Sequence, residues 1–104
     1  MFEIFEEDDW KVICPKVNIK GTVADKFREL IRDLSEEGVD RYKFDFARLT
    51  DIDVVGLCVF IVINKTSGMN GKISEYEVIN TNNDIQNLFL AMKINLKNNF
   101  QKVD

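Results

Sequence analysis

Apolar and polar residues alternate near the start of the chain, with the two-residue period that is typical of β-strands. The segments FEIF and WKVIC flank the polar stretch EEDD, which predicts two short strands joined by a turn. Pro15 has no N–H to donate to a β-ladder, so we expect the second strand to end there or to lie at an edge. The segment VNIKG that follows is predicted to be a connector.

A helical period begins at Thr22. Apolar residues recur every three or four positions and would share one helix face: Val23, Phe27, Leu30, Ile31 and Leu34. Threonine is a good N-cap, and Asp25 follows three residues later, close to a capping box. The pattern therefore predicts a helix that starts with Thr22 as its N-cap and ends with Gly38 as its C-cap.

The next two segments differ in how clearly they can be interpreted. RYKFDFARL alternates, with Tyr42, Phe44 and Phe46 pointing one way, and predicts a strand with one buried face. VVGLCVFIVI, residues 54–63, is apolar throughout and β-branched, which favours a buried strand. The segment NKTSG follows, however, and could complete a helix of about four turns. The sequence leaves both possibilities open.

The last third of the chain predicts one more strand and one more helix. KISEYEVI alternates, with Ile73 and Val78 among its apolar residues, and NTNND can cap a helix over DIQNLFLAMKI. The apolar stripe of that helix consists of Ile85, Leu88, Phe89 and Met92. The order β-β-α-β-(α or β)-β-α predicts an α/β (α+β) fold, a mixed sheet covered by helices, in a single domain over residues 1–104.

Composition fits a folded domain and limits its partners. The 104 residues are 45% apolar and include eight Phe and one Trp, enough large side chains for a core. The net charge is −4 and no basic block is present, which argues against nucleic acid and, more weakly, against an anionic membrane surface. The longest apolar run, residues 54–63, is about half of what a bilayer requires, so we expect no direct membrane insertion.

The expected location is the cytoplasm, since the N-terminal stretch is acidic where a signal peptide would be basic. Cys14 and Cys58 lie in apolar surroundings. We interpret them as small buried hydrophobes in a reducing compartment, although a disulfide between them stays open.

The candidate chemistry is sparse. The chain has no histidine, which removes Ser-His and Cys-His triads and histidine-containing metal sites. Neither a Gly-rich phosphate loop nor a CxxC pair occurs, and no pattern marks the Lys, Asp or Glu residues for catalysis. We therefore expect a protein that is not an enzyme and that uses no cofactor.

The central stretch DFARLTDIDVVGLCVF resembles the STAS domains, and within them the bacterial anti-sigma factor antagonists. The matching positions are Asp45, Phe46, Leu49, Thr50, Ile52, Asp53, Gly56, Leu57 and Val59. Gly68 and Gly71 sit where the family has a glycine-rich turn, and IQNLF is similar to the start of its last helix. The resemblance covers nearly the whole chain. It implies the STAS fold, a mixed β-sheet with helices mainly on one face, and a second helix that begins near Val54.

The resemblance also identifies a missing switch. In the family, the residue after this Asp is a serine that a partner kinase phosphorylates, and the phosphate ejects the partner by repulsion and desolvation. Here that position is Val54, which has no hydroxyl, and the following Ser or Thr of the family is Val55. Thr50 and Ser67 are hydroxyls nearby in sequence, but neither stands at the matching position.

Three polar residues near this position have alternative interpretations. Asn18 stands near a family Asp that helps partner binding. Asp53 is read first as the N-cap of the second helix and second as a carboxylate that contacts a partner. Asp51 and Asp53 lie two residues apart, which fits a solvated loop better than a cation site.

The apolar residues beside them are equally open. Val54 and Val55 are either core residues or an apolar docking patch, and Gly56 is expected to permit close approach of backbone or partner. The predicted partner-binding residues are therefore Asn18, Asp51, Asp53, Val54, Val55 and Gly56.

The leading functional hypothesis is a regulator that docks a protein partner through the loop before the second helix and the first turns of that helix. The resemblance implies a kinase-type anti-sigma factor, or its descendant, as the partner, with regulation that is constitutive or uses another site. An alternative is a STAS accessory subunit of a membrane complex that transports lipid or solute, because the apolar second helix would suit a permanent interface. A small-ligand or nucleotide sensor ranks last, since no phosphate cradle is marked.

Overall fold

A computed structural model of the chain describes residues 1–66, 75–92 and 100–101. Within these ranges the elements follow in the order β1, β2, α1, β3, α2, β4, α3, β5. The strands β1 to β5 are Phe2–Glu7, Trp10–Pro15, Arg41–Asp45, Glu75–Ile79 and Phe100–Gln101. The helices α1 to α3 are Thr22–Glu36, Val54–Thr66 and Asn83–Ala91.

The described strands form one sheet in the order β1-β2-β3-β4-β5. β1 and β2 pair antiparallel, whereas β2, β3, β4 and β5 are parallel to one another. The β1–β2 turn consists of Asp8 and Asp9, whose φ angles of 50° and 69° suit a two-residue hairpin turn. β2 ends at Pro15, as expected of a residue that cannot donate to the ladder. The mixed sheet predicted from sequence is confirmed.

Aromatic rings show that the helices pack on one face of this sheet. Phe44 of β3 has its ring centroid 5.6 Å from Phe27 of α1 and 5.2 Å from Phe60 of α2. Phe60 in turn lies 5.1 Å from Phe89 of α3. All four rings are fully buried, so each helix contributes a large side chain to a shared core.

The opposite face of the sheet carries charged and aromatic residues. The Arg41 guanidinium carbon lies 4.6 Å from the centre of the Trp10 ring, and the Lys43 ammonium lies 5.5 Å from it. Lys43 also approaches Glu7 at 3.4 Å. β3 thus alternates between buried Tyr42 and Phe44 on the helix face and half-buried cations on the other, as its sequence predicts.

The segment that was ambiguous in sequence is the helix α2. Among residues 54–63 of this helix, the buried large apolar side chains are Leu57, Val59, Phe60 and Ile63. Other residues of the helix are exposed although they are about as apolar as the buried ones: Val54, Val55, Cys58 and Val62. Because both sides of the helix are apolar, the sequence shows no helical period, and tertiary packing overrides the β-propensity of the segment.

The predicted cap of α1 is wrong by one residue. Gly21, with φ 56°, is the N-cap and Thr22 is the first helical residue, with no side-chain cap hydrogen bond. The predicted C-cap is also wrong by one residue, since the C-cap is Glu37 and Gly38 follows it with φ 98°. The Gly38 N–H donates to the Ser35 carbonyl at 3.0 Å, within a Schellman motif that a residue with positive φ completes.

The last helix is capped as predicted by the polar stretch before it. The Asn82 side chain accepts the Ile85 N–H at 2.8 Å. Ile85 and Phe89 are buried, but Met92 lies past the end of α3 and is exposed. The predicted apolar stripe is therefore wrong at Met92. Ile73, Gly68 and Gly71 lie outside the described residues.

The cysteines differ from each other in exposure. Both are free thiols; Cys14 is half-buried and Cys58 is exposed on α2. The prediction that both are buried hydrophobes is therefore wrong for Cys58.

Candidate functional site

Two loops lie side by side at the carboxyl ends of β2 and β3. Ile19, in the loop before α1, forms a parallel bridge with Ile52, in the loop before α2. The Asp53 N–H donates to the Ile19 carbonyl at 3.0 Å. Both isoleucines are buried, so backbone pairing and apolar contact together hold the loops in register.

The side chain of Asn18 links the same two loops by hydrogen bonds. Its Oδ1 accepts the backbone N–H of Thr50 at 2.9 Å and that of Asp51 at 3.2 Å. Its Nδ2 donates to the Thr50 hydroxyl at 3.1 Å. An amide offers a donor and an acceptor on one side chain, so asparagine satisfies both the backbone and the hydroxyl of the facing loop.

Asp53 is the N-cap of α2, as the sequence predicted. Its Oδ1 accepts the Gly56 N–H at 2.9 Å, and its carbonyl accepts the Leu57 N–H at 2.9 Å. Its Oδ2 reaches the other loop and accepts the Gly21 N–H at 2.8 Å. The N–H groups of Gly21 and then Gly56 lower the pKa of the Asp53 carboxyl, because they stabilise its charged form.

Gly21 is a residue of the site that the sequence did not mark. Its φ of 56° and ψ of −125° lie in a region that is open to glycine and strained for other residues. Glycine is an acceptable N-cap residue, and its place directly before Thr22 was the one sequence feature that could have predicted this cap. The acceptor of its N–H lies 32 residues away, which no local pattern reveals.

Asp51 lies at the outer edge of the site. Its Oδ1 accepts the N–H of Ile52 at 2.9 Å, and its Oδ2 lies 3.0 Å from the Lys20 ammonium. The sequence did not single out Lys20. Within residues 1–66, 75–92 and 100–101, no three His, Cys, Asp or Glu side chains gather as metal ligands would.

Val54 and Val55 are the first two residues of α2 and point into solvent. Val54 is 62% exposed and Val55 is 43% exposed. The interpretation of these valines as core residues is therefore wrong. They continue along α2 into exposed Cys58 and Val62, which makes a contiguous apolar strip rather than isolated valines.

Gly56 is buried beneath this strip. A Cβ at this position would lie 2.7 Å from Ile52 Cγ1, 2.8 Å from Ile19 Cγ2 and 3.0 Å from the Ile19 carbonyl oxygen. The expected close approach is confirmed, and the chain's own loops make it. Gly56 therefore lets α2 begin directly on the bridge between Ile19 and Ile52.

Thr50 and Ser67 are two hydroxyl residues near Val54 in sequence. Thr50 is exposed, and its hydroxyl is hydrogen-bonded to Asn18. Ser67 lies outside the described residues. Among the helices described, none combines the length and the apolar character that crossing a bilayer requires.

The sequence comparisons find no match: no family model fits the chain, and no curated protein is similar to it at a significant level.

Comparison of structures does find relatives. An anti-sigma factor antagonist from Mycobacterium paratuberculosis superposes with a TM-score of 0.80 at 11% identity, over 99% of this chain and 86% of that one. The anti-sigma factor antagonist SpoIIAA in its unphosphorylated form gives a TM-score of 0.72 at 14% identity, over 100% and 90% of the two chains. SpoIIAA of Bacillus in its phosphorylated form gives 0.75 at 13% identity, over 100% and 92%.

These superpositions extend over nearly every residue, although few residues are identical. The likeness therefore lies in the order and packing of the elements, and it agrees with the resemblance of the central stretch. The chain has the STAS fold, the fold of the anti-sigma factor antagonists.

Proposed function

We propose that this chain is a cytoplasmic, non-enzymatic regulator that binds a protein partner in the manner of an anti-sigma factor antagonist. The partner is a kinase-type anti-sigma factor or a protein descended from one. The docking surface consists of Asp51, Asp53, Val54 and Val55. Asn18 and Gly56 hold it in shape, through the loop contacts and the close packing described above.

The observation that carries the proposal is the exposure of Val54 directly after the capping Asp53. A single exposed valine means little. Here the helix start is held by hydrogen bonds from two loops, and Val55, Cys58 and Val62 extend the apolar strip. A fixed apolar surface beside carboxylates suits a protein interface with an apolar centre and a polar rim.

The same position explains how regulation would differ from that of SpoIIAA. SpoIIAA has been solved both unphosphorylated and phosphorylated. The family resemblance implies that Val54 stands where other members carry the phosphorylated serine, and valine cannot accept a phosphate. Partner binding by this chain is therefore constitutive or is controlled at another site.

A crosslinking experiment in the native cell tests the docking surface. A photoactivatable residue replaces Val54, and the crosslinked protein is identified by mass spectrometry. We expect a protein with a kinase-type ATPase domain at Val54 and none at Lys26, which is exposed on α1. A crosslink from Lys26 to the same protein, or no crosslink from Val54, would place the interface elsewhere.

A charge substitution then measures the contribution of Val54 to affinity for the captured partner. Val54→Glu puts a carboxylate at a helix N-terminus, which tolerates negative charge, so the fold should hold in a thermal melt. The carboxylate would be desolvated without a partner in the interface, and we expect affinity to fall more than ten-fold. Leu90→Glu is the matched control, because Leu90 is 63% exposed on α3; an equal loss from both variants would count against the proposal.

The missing switch is tested by restoring the hydroxyl. With ATP and the captured kinase-type partner, Val54→Ser should gain phosphate at the substituted position, whereas the wild-type chain should gain none at Thr50 or Ser67. Phosphopeptide mapping distinguishes these sites. A stoichiometric phosphate on Thr50 or Ser67 of the wild type would show that the control site has moved.

A further inference from the structure

We propose that the groove between α1 and α2 binds an acidic, amphipathic helix of the protein partner. This inference rests on the proposed function and names the chemistry of the partner. The groove begins at Val55, which also belongs to the docking surface, so the two surfaces are continuous.

The groove is apolar, and its lining residues extend over more than two turns of each helix. It has a volume of about 490 Å³ and is lined by Ile31 of α1 and by Val55, Cys58, Val59, Val62 and Ile63 of α2. The lining residues lie between positions 28 and 36 on α1 and between positions 55 and 63 on α2. Nine residues rise about 13 Å along a helix, or some two and a half turns. An occupying helix would insert apolar side chains at positions i, i+4 and i+7.

The charges around the groove favour acidic flanks on that helix. α2 carries no charged residue from Val54 to Ile63. On the α1 rim stand Arg28 and Arg32, four residues apart and therefore on the same side of the helix.

The two arginines are held only loosely by their own chain. Arg28 lies 3.7 Å from Asp25, and Arg32 lies 3.5 Å from Asp33; the side chains of both pairs are more than half exposed. Exposed ion pairs of this kind contribute little. Both guanidinium groups can therefore turn to a carboxylate on an occupying helix, whereas Glu36 supplies one opposing charge at the far end of the lining.

A second copy of this chain fits the groove less well. A symmetric contact between two copies would set one concave surface against another, which leaves both grooves unfilled. A convex helix with Glu or Asp beside its apolar face satisfies both the shape and the arginines.

Two synthetic helices test the proposal. Both are held helical by side-chain lactam bridges and share one apolar face; one has Glu flanks and the other Lys flanks. The net charge of the protein should favour the Lys helix, so preference for the Glu helix requires the local arginines. We expect at least ten-fold tighter binding of the Glu helix by titration calorimetry, together with slower alkylation of Cys58 and unchanged alkylation of Cys14.

Charge reversal provides the matched variants. Arg28→Glu with Arg32→Glu should reverse the preference to the Lys helix. Lys26→Glu, on the same helix but outside the lining, should leave it unchanged. All three positions are exposed, and a thermal melt checks that each variant folds.

Several outcomes would overturn the inference. These are no binding of the Glu helix, equal binding of the two helices, or an unchanged preference in the double variant. Sedimentation that shows a dimer with Cys58 already protected would assign the groove to a second copy instead. The synthetic helices do not involve the native partner. A failure to bind them would therefore reject the groove proposal without affecting the results of the Val54 crosslink and of Val54→Glu. Failure of those two experiments would reject the proposed function and would leave the measured helix preference unchanged.

Discussion

The carboxylate of Asp53 accepts the backbone N–H of Gly21 at 2.8 Å and so ties the start of α2 to the start of α1. Its second oxygen caps α2 through the Gly56 N–H at 2.9 Å. One side chain therefore positions both helices that border the proposed groove and also the exposed valine beside the cap. Asp53 is therefore a structural residue of the proposed docking surface, independently of any contact with a partner.

Removal of this carboxylate should destabilise the fold. Asp53→Ala loses the cap and the Gly21 bond, and we expect a loss of about 1–2 kcal/mol. For a domain of this size that corresponds to a fall in Tm of about 4–8 °C for each kcal/mol. Asp53→Asn should destabilise the fold less than Asp53→Ala, because asparagine also caps helices. Some loss should remain, because asparagine has one side-chain oxygen for the two N–H groups. Asp51→Ala is the control, because it removes an exposed ion pair with Lys20 and a local bond from the Ile52 N–H but no contact that caps a helix. An equal Tm for the two alanine variants would contradict the prediction.

The same carboxylate should make stability depend on pH. Its pKa is lowered in the folded chain, first by the Gly21 N–H and then by the Gly56 N–H. A group whose pKa is lower in the folded state stabilises that state above its unfolded pKa, near 3.9 for Asp. This contribution is lost as the pH falls through the folded pKa. Urea unfolding of wild type and Asp53→Asn between about pH 7 and pH 2.5 should show a difference that shrinks below about pH 4; a constant difference would refute the assignment.

Gly56→Ala should destabilise the chain through crowding. The new methyl group would lie under 3.0 Å from the side chains of both Ile19 and Ile52, so the two loops or the start of α2 would have to move. Overpacking of this kind costs about 1–3 kcal/mol. A chemical denaturation curve measures it, and a midpoint equal to that of the wild type would show that the loops give way freely.

Gly21→Ala should destabilise the chain for a different reason. A Cβ there meets nothing within 4 Å, so the cost comes from the backbone conformation, at about 1–3 kcal/mol. Thr22→Ala is the informative comparison, because Thr22 makes no side-chain cap hydrogen bond and should be nearly neutral. If Thr22→Ala cost as much as Gly21→Ala, the threonine would be the cap after all.

The two thiols should react at different rates. Burial and the negative charges of Asp45 and Glu3 raise the pKa of Cys14, which keeps it protonated and slow. Cys58 is exposed on α2. With a maleimide near pH 7.5, mass mapping should find Cys58 modified well before Cys14; the opposite order would contradict the exposure of the α2 face on which the groove proposal depends.

The sequence by itself determined the features that depend on local period or on residue identity. Alternation at Tyr42, Phe44 and Phe46 predicted β3, because successive side chains of a strand point to opposite faces. Apolar residues spaced three or four positions apart from Val23 to Leu34 predicted α1, because such residues share one face of a helix. That Val54 carries no hydroxyl is likewise a matter of residue identity.

The tertiary structure decided what depends on contacts between distant residues. α2 has no readable period because both its sides are apolar, and the helix forms because Leu57, Phe60 and Ile63 pack into the core. Gly21 became the N-cap of α1 through a carboxylate 32 residues away. Val54 and Val55 are exposed because Gly56 seats the opposite side of the helix on Ile19 and Ile52. Sequence pattern reports which residues favour burial, and packing determines which of them are buried, because the core has room on one side of α2 only.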